Sequence, residues 1–136
     1  MIPANRAAAA LAACLALAGG ATLARAADVP KAVRACVACH TFTKGGESKI
    51  GPNLFGIYGK PAAAVPGFDR YGEAMKAAAA KGLTWTAENL EAYVDNPVAF
   101  LKAASGDPDT RTNMIARIRK PADRAAIVAY LKSLKD

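Results

Sequence analysis

The chain has one histidine in 136 residues, and it closes the stretch Cys36-Val37-Ala38-Cys39-His40. The pattern C-x-x-C-H constrains this chain more than any other feature. Two thiols one short turn apart reach the two vinyl groups of a single porphyrin and form thioethers with them. The next residue then lies under the iron, where its imidazole nitrogen becomes an axial ligand. The motif therefore predicts covalent attachment of one c-type haem, with His40 on the metal. The competing readings are a chance C-x-x-C before a histidine, or a redox dithiol. A redox dithiol needs a strand-turn-helix setting, and the Ala-rich surroundings offer no strand.

Length allows one domain at most. Residues 1–26 read as a secretory signal peptide. Asn5-Arg6 gives a short positive start, Ala7 to Leu23 is almost wholly apolar, and Ala24-Arg25-Ala26 offers an A-x-A cleavage site. The functional domain is then 27–136. Gly19-Gly20 and the weak hydrophobicity of alanine argue against a membrane span. Leu11-Ala12-Ala13-Cys14 has the look of a lipoprotein processing box, which would leave a lipidated Cys14 at the start. The apolar sequence running on through Leu15, Leu17 and Leu23 argues against it. Export and the motif support each other, since c-type haem is attached in the exported compartment. The expected location is the periplasm.

Removal of Arg6 and Arg25 leaves 16 basic against 11 acidic side chains, a net charge of +5. Two haem propionates lower it further. Such a balance steers a protein toward acidic partners. The export signal and the lack of a binding motif count against nucleic acid. Membrane contact comes only through partners, unless Cys14 is lipidated.

Apolar periodicity predicts a short helix over residues 28–39, with Val29, Val33 and Cys36 on one face. From Thr41 to Gly67 the turn signals are dense: Gly45-Gly46, Gly51-Pro52, Gly56, Gly59, Pro61 and Pro66-Gly67. A loop this long in a small domain wraps something, and a haem edge suits it. Tyr71, Ala74, Met75 and Ala78 mark a helix with Gly82 as its C-terminal cap. A second starts at Thr86, carries Leu90, Tyr93 and Val94, and stops before Pro97. Leu101 to Lys120 reads as a loop holding Met114. The last helix opens at Pro121 and buries Ile127, Tyr130, Leu131 and Leu134.

Several weak motifs in one order then resemble the class I c-type cytochromes, of the bacterial monohaem kind. The match runs through Cys36 to His40, Gly51-Pro52-Asn53-Leu54, Pro66-Gly67-Phe68 and Leu83-Thr84-Trp85. It continues through Tyr93, Asn96-Pro97 and Thr112-Asn113-Met114 to the helix bearing Ile127, Tyr130 and Leu131. The resemblance implies an all-α cytochrome c fold, four to five short helices wrapped around one covalently bound haem. It implies that His40 donates its outer ring N–H to the Pro52 carbonyl. It also implies that Met114 supplies the distal thioether, that Trp85 and Lys60 serve the propionates, and that Tyr93 lines the distal pocket. Lys60 stands where the family usually has arginine. Rival sixth ligands are a lysine such as Lys120, or none; a second histidine does not exist. Met75, on a helix face, reads as core. Asp28 and Ala32 replace a glycine and an aromatic of the family's N-terminal helix, which predicts a short helix packed weakly on Tyr130. Phe55 replaces a common histidine, and the loop from Phe100 to Met114 is longer than in compact members.

The implied function is outer-sphere electron transfer, not catalysis, because His/Met ligation closes the coordination sphere. The alternatives are a haem subunit held permanently in a dehydrogenase or oxidase complex, and a small haem enzyme with an open sixth site. In the family fold Lys44, Lys49 and Lys60 lie in the loops around the haem, and Lys102, Arg117, Arg119 and Lys120 flank the Met114 loop; together they read as a docking ring at the haem edge for an acidic redox partner, the alternative being scattered solvated charges that keep the protein soluble. Arg70 and Lys81 lie away from that edge.

Overall fold

In the computed structural model, which describes residues 29–136, the chain opens with a 3₁₀ helix, Lys31–Cys36. Four α-helices follow: α1 Glu73–Ala80, α2 Ala87–Asp95, α3 Pro97–Ser105 and α4 Pro121–Ser133. No strand forms among the described residues; Pro61 and Thr84 make one isolated antiparallel bridge. The all-α expectation holds. The predicted signal segment 1–26, with Cys14, and also Asp28 lie outside the described residues.

Local chemistry accounts for the helix ends. The Thr86 hydroxyl accepts from the Asn89 amide at 3.2 Å and caps α2. Lys81 ends α1, Gly82 takes φ +88°, and the Leu83 amide returns to the Ala78 carbonyl at 3.1 Å. That is the left-handed C-terminal cap that Gly82 predicts.

Helix α3 corrects the sequence reading. Residues from Leu101 were expected to be loop, yet the helix runs from Pro97 to Ser105. Asn96-Pro97 does two jobs at once. It stops α2, and it starts α3: Asn96 Oδ1 accepts from the Ala99 amide at 3.2 Å, and Pro97 fits the first turn, where its missing N–H has no partner to lose. Gly106, at φ +76°, closes the helix. The stretch without helix or strand therefore begins at Gly106.

Packing joins α3 to α1 and α2, α2 to α4, and α4 to the 3₁₀ helix. Leu101, Val33 and Pro97 are the largest fully buried side chains. The first helix is six residues of 3₁₀, shorter than the 28–39 predicted, and buries only Val33. Tyr130 finds a ring elsewhere: Phe42, from the loop, lies 5.8 Å away at 54°. The long loop is stapled by Asn53, which is 9% exposed. Its Nδ2 donates to the carbonyls of Thr43 at 2.8 Å and Gly46 at 2.9 Å, while its Oδ1 accepts from the Phe55 amide.

Candidate haem site

The C-x-x-C-H stretch turns sharply as the 3₁₀ helix ends. The amides of Cys39 and His40 both donate to the Cys36 carbonyl, at 3.1 and 2.9 Å. Lys49 Nζ donates to the Val37 carbonyl at 2.7 Å, and the Gly51 amide to the Cys39 carbonyl at 2.8 Å. Both thiols are free, and Cys36, Cys39 and His40 line one cavity of ≈ 330 Å³. That volume falls within the range of about 300–1,000 Å³ usual for ligand sites.

His40 Nδ1 lies 2.7 Å from the Pro52 carbonyl oxygen. A carbonyl oxygen only accepts, so Nδ1 carries the proton and Nε2 keeps its lone pair for a metal. Burial holds the imidazolium below its ordinary pKa; the Pro52 bond works the other way, and the charge of Lys49 adds to the lowering. The ring is therefore neutral at neutral pH, the form that ligates. Gly51 lies against it so closely that a Cβ there would sit 2.4 Å from Cε1. Burial, and then the charge of Cys39, push the Cys36 thiol up.

The other walls come from the loops and from all four α-helices. Trp85, 5% exposed, and Tyr93 contribute rings with centroids 5.0 Å apart, and Phe100 lies 5.7 Å from Tyr93. Burial raises the Tyr93 pKa, partly offset by a hydrogen bond with Thr112, so the phenol stays a proton donor. Met114 lines the same cavity. Its amide donates to Thr112 Oγ1 at 3.2 Å. A mostly apolar cavity with paired thiols, one imidazole with a directed lone pair and a thioether is the donor set that a c-type haem needs. The residues fit the group.

The sequence profile of the cytochrome c family matches residues 18–135. The chain belongs to the cytochrome c family. It is 45% identical over 125 residues to cytochrome c2 of Rhodospirillum rubrum, covering 90% of this chain and 92% of that protein. It is 44% identical over 102 residues to cytochrome c-550 of Novispirillum itersonii, covering 75% and 91%. The solved structure of cytochrome c2 from Rhodospirillum centenum matches with TM-score 0.72 at 32% identity, covering 77% of this chain and 93% of that one. The fold is the all-α cytochrome c fold. As a family member this cytochrome carries one covalent haem c with its iron, and it is an electron-transfer protein.

Of the residues singled out from the sequence, Cys36, Cys39, His40, Pro52, Trp85, Tyr93 and Met114 meet around the cavity. Lys60 does not: its side chain is exposed and off the wall, while its carbonyl is tied to the Trp85 amide at 2.9 Å. Arg70 is the opposite correction. Expected away from the haem edge, it lines the cavity, its guanidinium 5.0 Å over the Phe68 ring. Arg111 is the other cation on the wall, and none of the seven residues of the expected docking ring lines it. Met75, read as core, is 8% exposed and also faces the cavity. Sequence reasoning missed the close approach of Gly51 to His40, although Gly51-Pro52 was visible as a turn.

Proposed function

We propose that this cytochrome is a periplasmic carrier of one electron at a time, with haem held through Cys36 and Cys39 and the iron ligated by His40 and Met114. The observation that carries the reading is the His40 ring, its Nδ1 proton engaged by Pro52 and its Nε2 free, in a cavity that Met114 also lines. The bound haem supplies a one-electron couple. The protein supplies orientation, an apolar surround that raises the potential, and phenol and indole donors from Tyr93 and Trp85. With His40 and Met114 both holding the iron, no donor position would be left for a substrate, which is the ground for reading the protein as a carrier and not an enzyme. Residues 1–26 act as the export signal. Among the described residues no helix is long and apolar enough to cross a membrane.

Attachment is tested chemically. Haem should stay with the chain in acid acetone, and Cys36→Ala should leave one thioether and a shifted pyridine haemochrome band. Free extraction of wild-type haem would sink the reading. Mass spectrometry of the native protein reports the cleavage site and any lipid on Cys14 together.

The partner is a redox protein with an acidic docking surface. Its approach is tested at the cations on the cavity wall, both exposed. The second-order rate of electron transfer to an acidic acceptor should fall as salt rises and the Debye length shrinks to about 8 Å. Charge reversal at Arg70 or Arg111 should lower the rate at low salt, and reversal at Lys102 should do much less. Equal losses at all three would remove the localised docking face. A second reading, a subunit held permanently in a dehydrogenase or oxidase complex, is favoured by Ile50 and Ile115, which line the cavity yet are 74% and 92% exposed. Co-purification with a partner at high salt would support it.

A further inference from the structure

The segment bearing Met114 has little structure of its own. Residues 106–120 contain neither helix nor strand. Both local hydrogen bonds of Met114 go to Thr112, its amide to Oγ1 at 3.2 Å and its carbonyl from the same hydroxyl at 3.4 Å. The methionine is therefore held by what anchors the chain on either side. Upstream the Thr112 side chain meets Tyr93 of α2, and Asn113 Nδ2 donates to the Arg70 carbonyl at 3.2 Å in an exposed contact. Downstream the anchors converge on one place, where α2 ends beside α4. The Ile118 amide donates to Val94 O at 2.8 Å, and Arg117 Nε to Asp95 O at 2.9 Å.

Arg124, in the first turns of α4, completes that convergence from the inside. Its Nη1 donates to the carbonyls of Ile118 at 3.1 Å and Arg119 at 2.9 Å, and to Asp95 Oδ1 at 3.3 Å. One amino group thus joins α4, α2 and the limb leaving Met114. The side chain is only 14% exposed, with Glu91 Oε1 3.6 Å from Nε. That Nε is buried without a hydrogen bond. A buried guanidinium kept at this cost is committed to the carbonyls it meets, because removing it leaves them without their charged donor.

We infer that Arg124 is a positioning residue for the Met114 thioether: it latches the return limb of the loop to α2 and so sets how readily another ligand displaces the sulfur from iron. The inference rests on Met114 as sixth ligand. It makes Arg124 a control on ligand exchange, although the residue does not line the cavity.

The test is an imidazole titration of the ferric holoprotein, read from the far-red sulfur-to-iron absorption band. Wild type should show the band and bind imidazole weakly. Arg124→Leu should keep the band without imidazole and bind imidazole roughly tenfold or more tightly, the scale of a lost charge-assisted hydrogen-bond set. Arg124→Lys, which keeps a cation and N–H donors, should fall between. If Arg124→Leu yields no folded holoprotein, the lysine variant carries the comparison. Val33→Ala, in the 3₁₀ helix, loosens the fold away from this limb and should leave imidazole affinity near wild type. Unchanged affinity in the Arg124 variants, or an equal rise in Val33→Ala, overturns the inference and leaves Met114 standing. A wild-type protein without the band overturns both.

Discussion

Met114→Ala is expected to abolish the sulfur-to-iron band of the ferric protein, lower the reduction potential and open the iron to imidazole or azide. The expected fall is on the order of 0.1 V or more, because axial ligands span about 0.8 V of haem potential. A thioether favours the ferrous state, and alanine offers no donor to replace it. The discriminating partner is Met75→Ala. Met75 faces the same cavity and is better buried than Met114, so burial does not choose between them. What favours Met114 is its place in the run Thr112-Asn113-Met114, the word shared with the class I c-type cytochromes; Met75 sits inside α1. Met75→Ala should therefore keep the band and cost about 2–5 kcal/mol of stability as a buried truncation. The reverse pattern would move the ligand to Met75.

Gly51→Ala should be nearly as damaging, through the other axial ligand. The added methyl would lie 2.4 Å from His40 Cε1 and 2.7 Å from Nδ1. Ordinary carbon contacts lie at about 3.5–4.0 Å. Neither side can yield cheaply. The Gly51 amide is bonded to the Cys39 carbonyl at 2.8 Å, and its carbonyl accepts from the Lys49 amide at 3.0 Å. Moving the imidazole breaks its bond to Pro52. The overlap costs about 1–3 kcal/mol or more and falls on the ligand itself. The yield of haem-bearing protein, read from haem absorbance per mole of chain, should drop several-fold, with a lower thermal midpoint. Gly72→Ala is the control, since a Cβ there meets Asn113 at an ordinary 3.6 Å. Equal behaviour of the two variants would show that the contact with His40 is unimportant.

The parts of this site that sequence reveals are those whose chemistry demands adjacency. Cys36, Cys39 and His40 must stand in a fixed run to serve one porphyrin, and Gly51-Pro52 and Thr112-Asn113-Met114 come as compact words. Helix α3 is hidden in the sequence because Asn96-Pro97 is at once a stop and a start, and periodicity marks only the stop. Arg70 and not Lys60 reaches the cavity wall, and loop spacing does not encode which way such a long side chain runs. Tyr130 packs on Phe42 from the loop, whereas Ala32 of the N-terminal helix has no ring to offer. Arg124 carries no sequence signal of its role, because two of its acceptors are the backbone carbonyls of Ile118 and Arg119 and the third, Asp95, lies 29 residues away.

The cavity wall has a consequence for the stability of the chain without its haem. Nine of the fourteen buried apolar side chains among the described residues also line the cavity, including Trp85, Leu90, Leu101 and Leu131. For them the porphyrin is a neighbour as necessary as any side chain. A polypeptide lacking it would have to leave much of its interior in contact with water, and a domain of this size has little stability to spare. Thioether formation and chain collapse are therefore thermodynamically linked, each drawing the other forward.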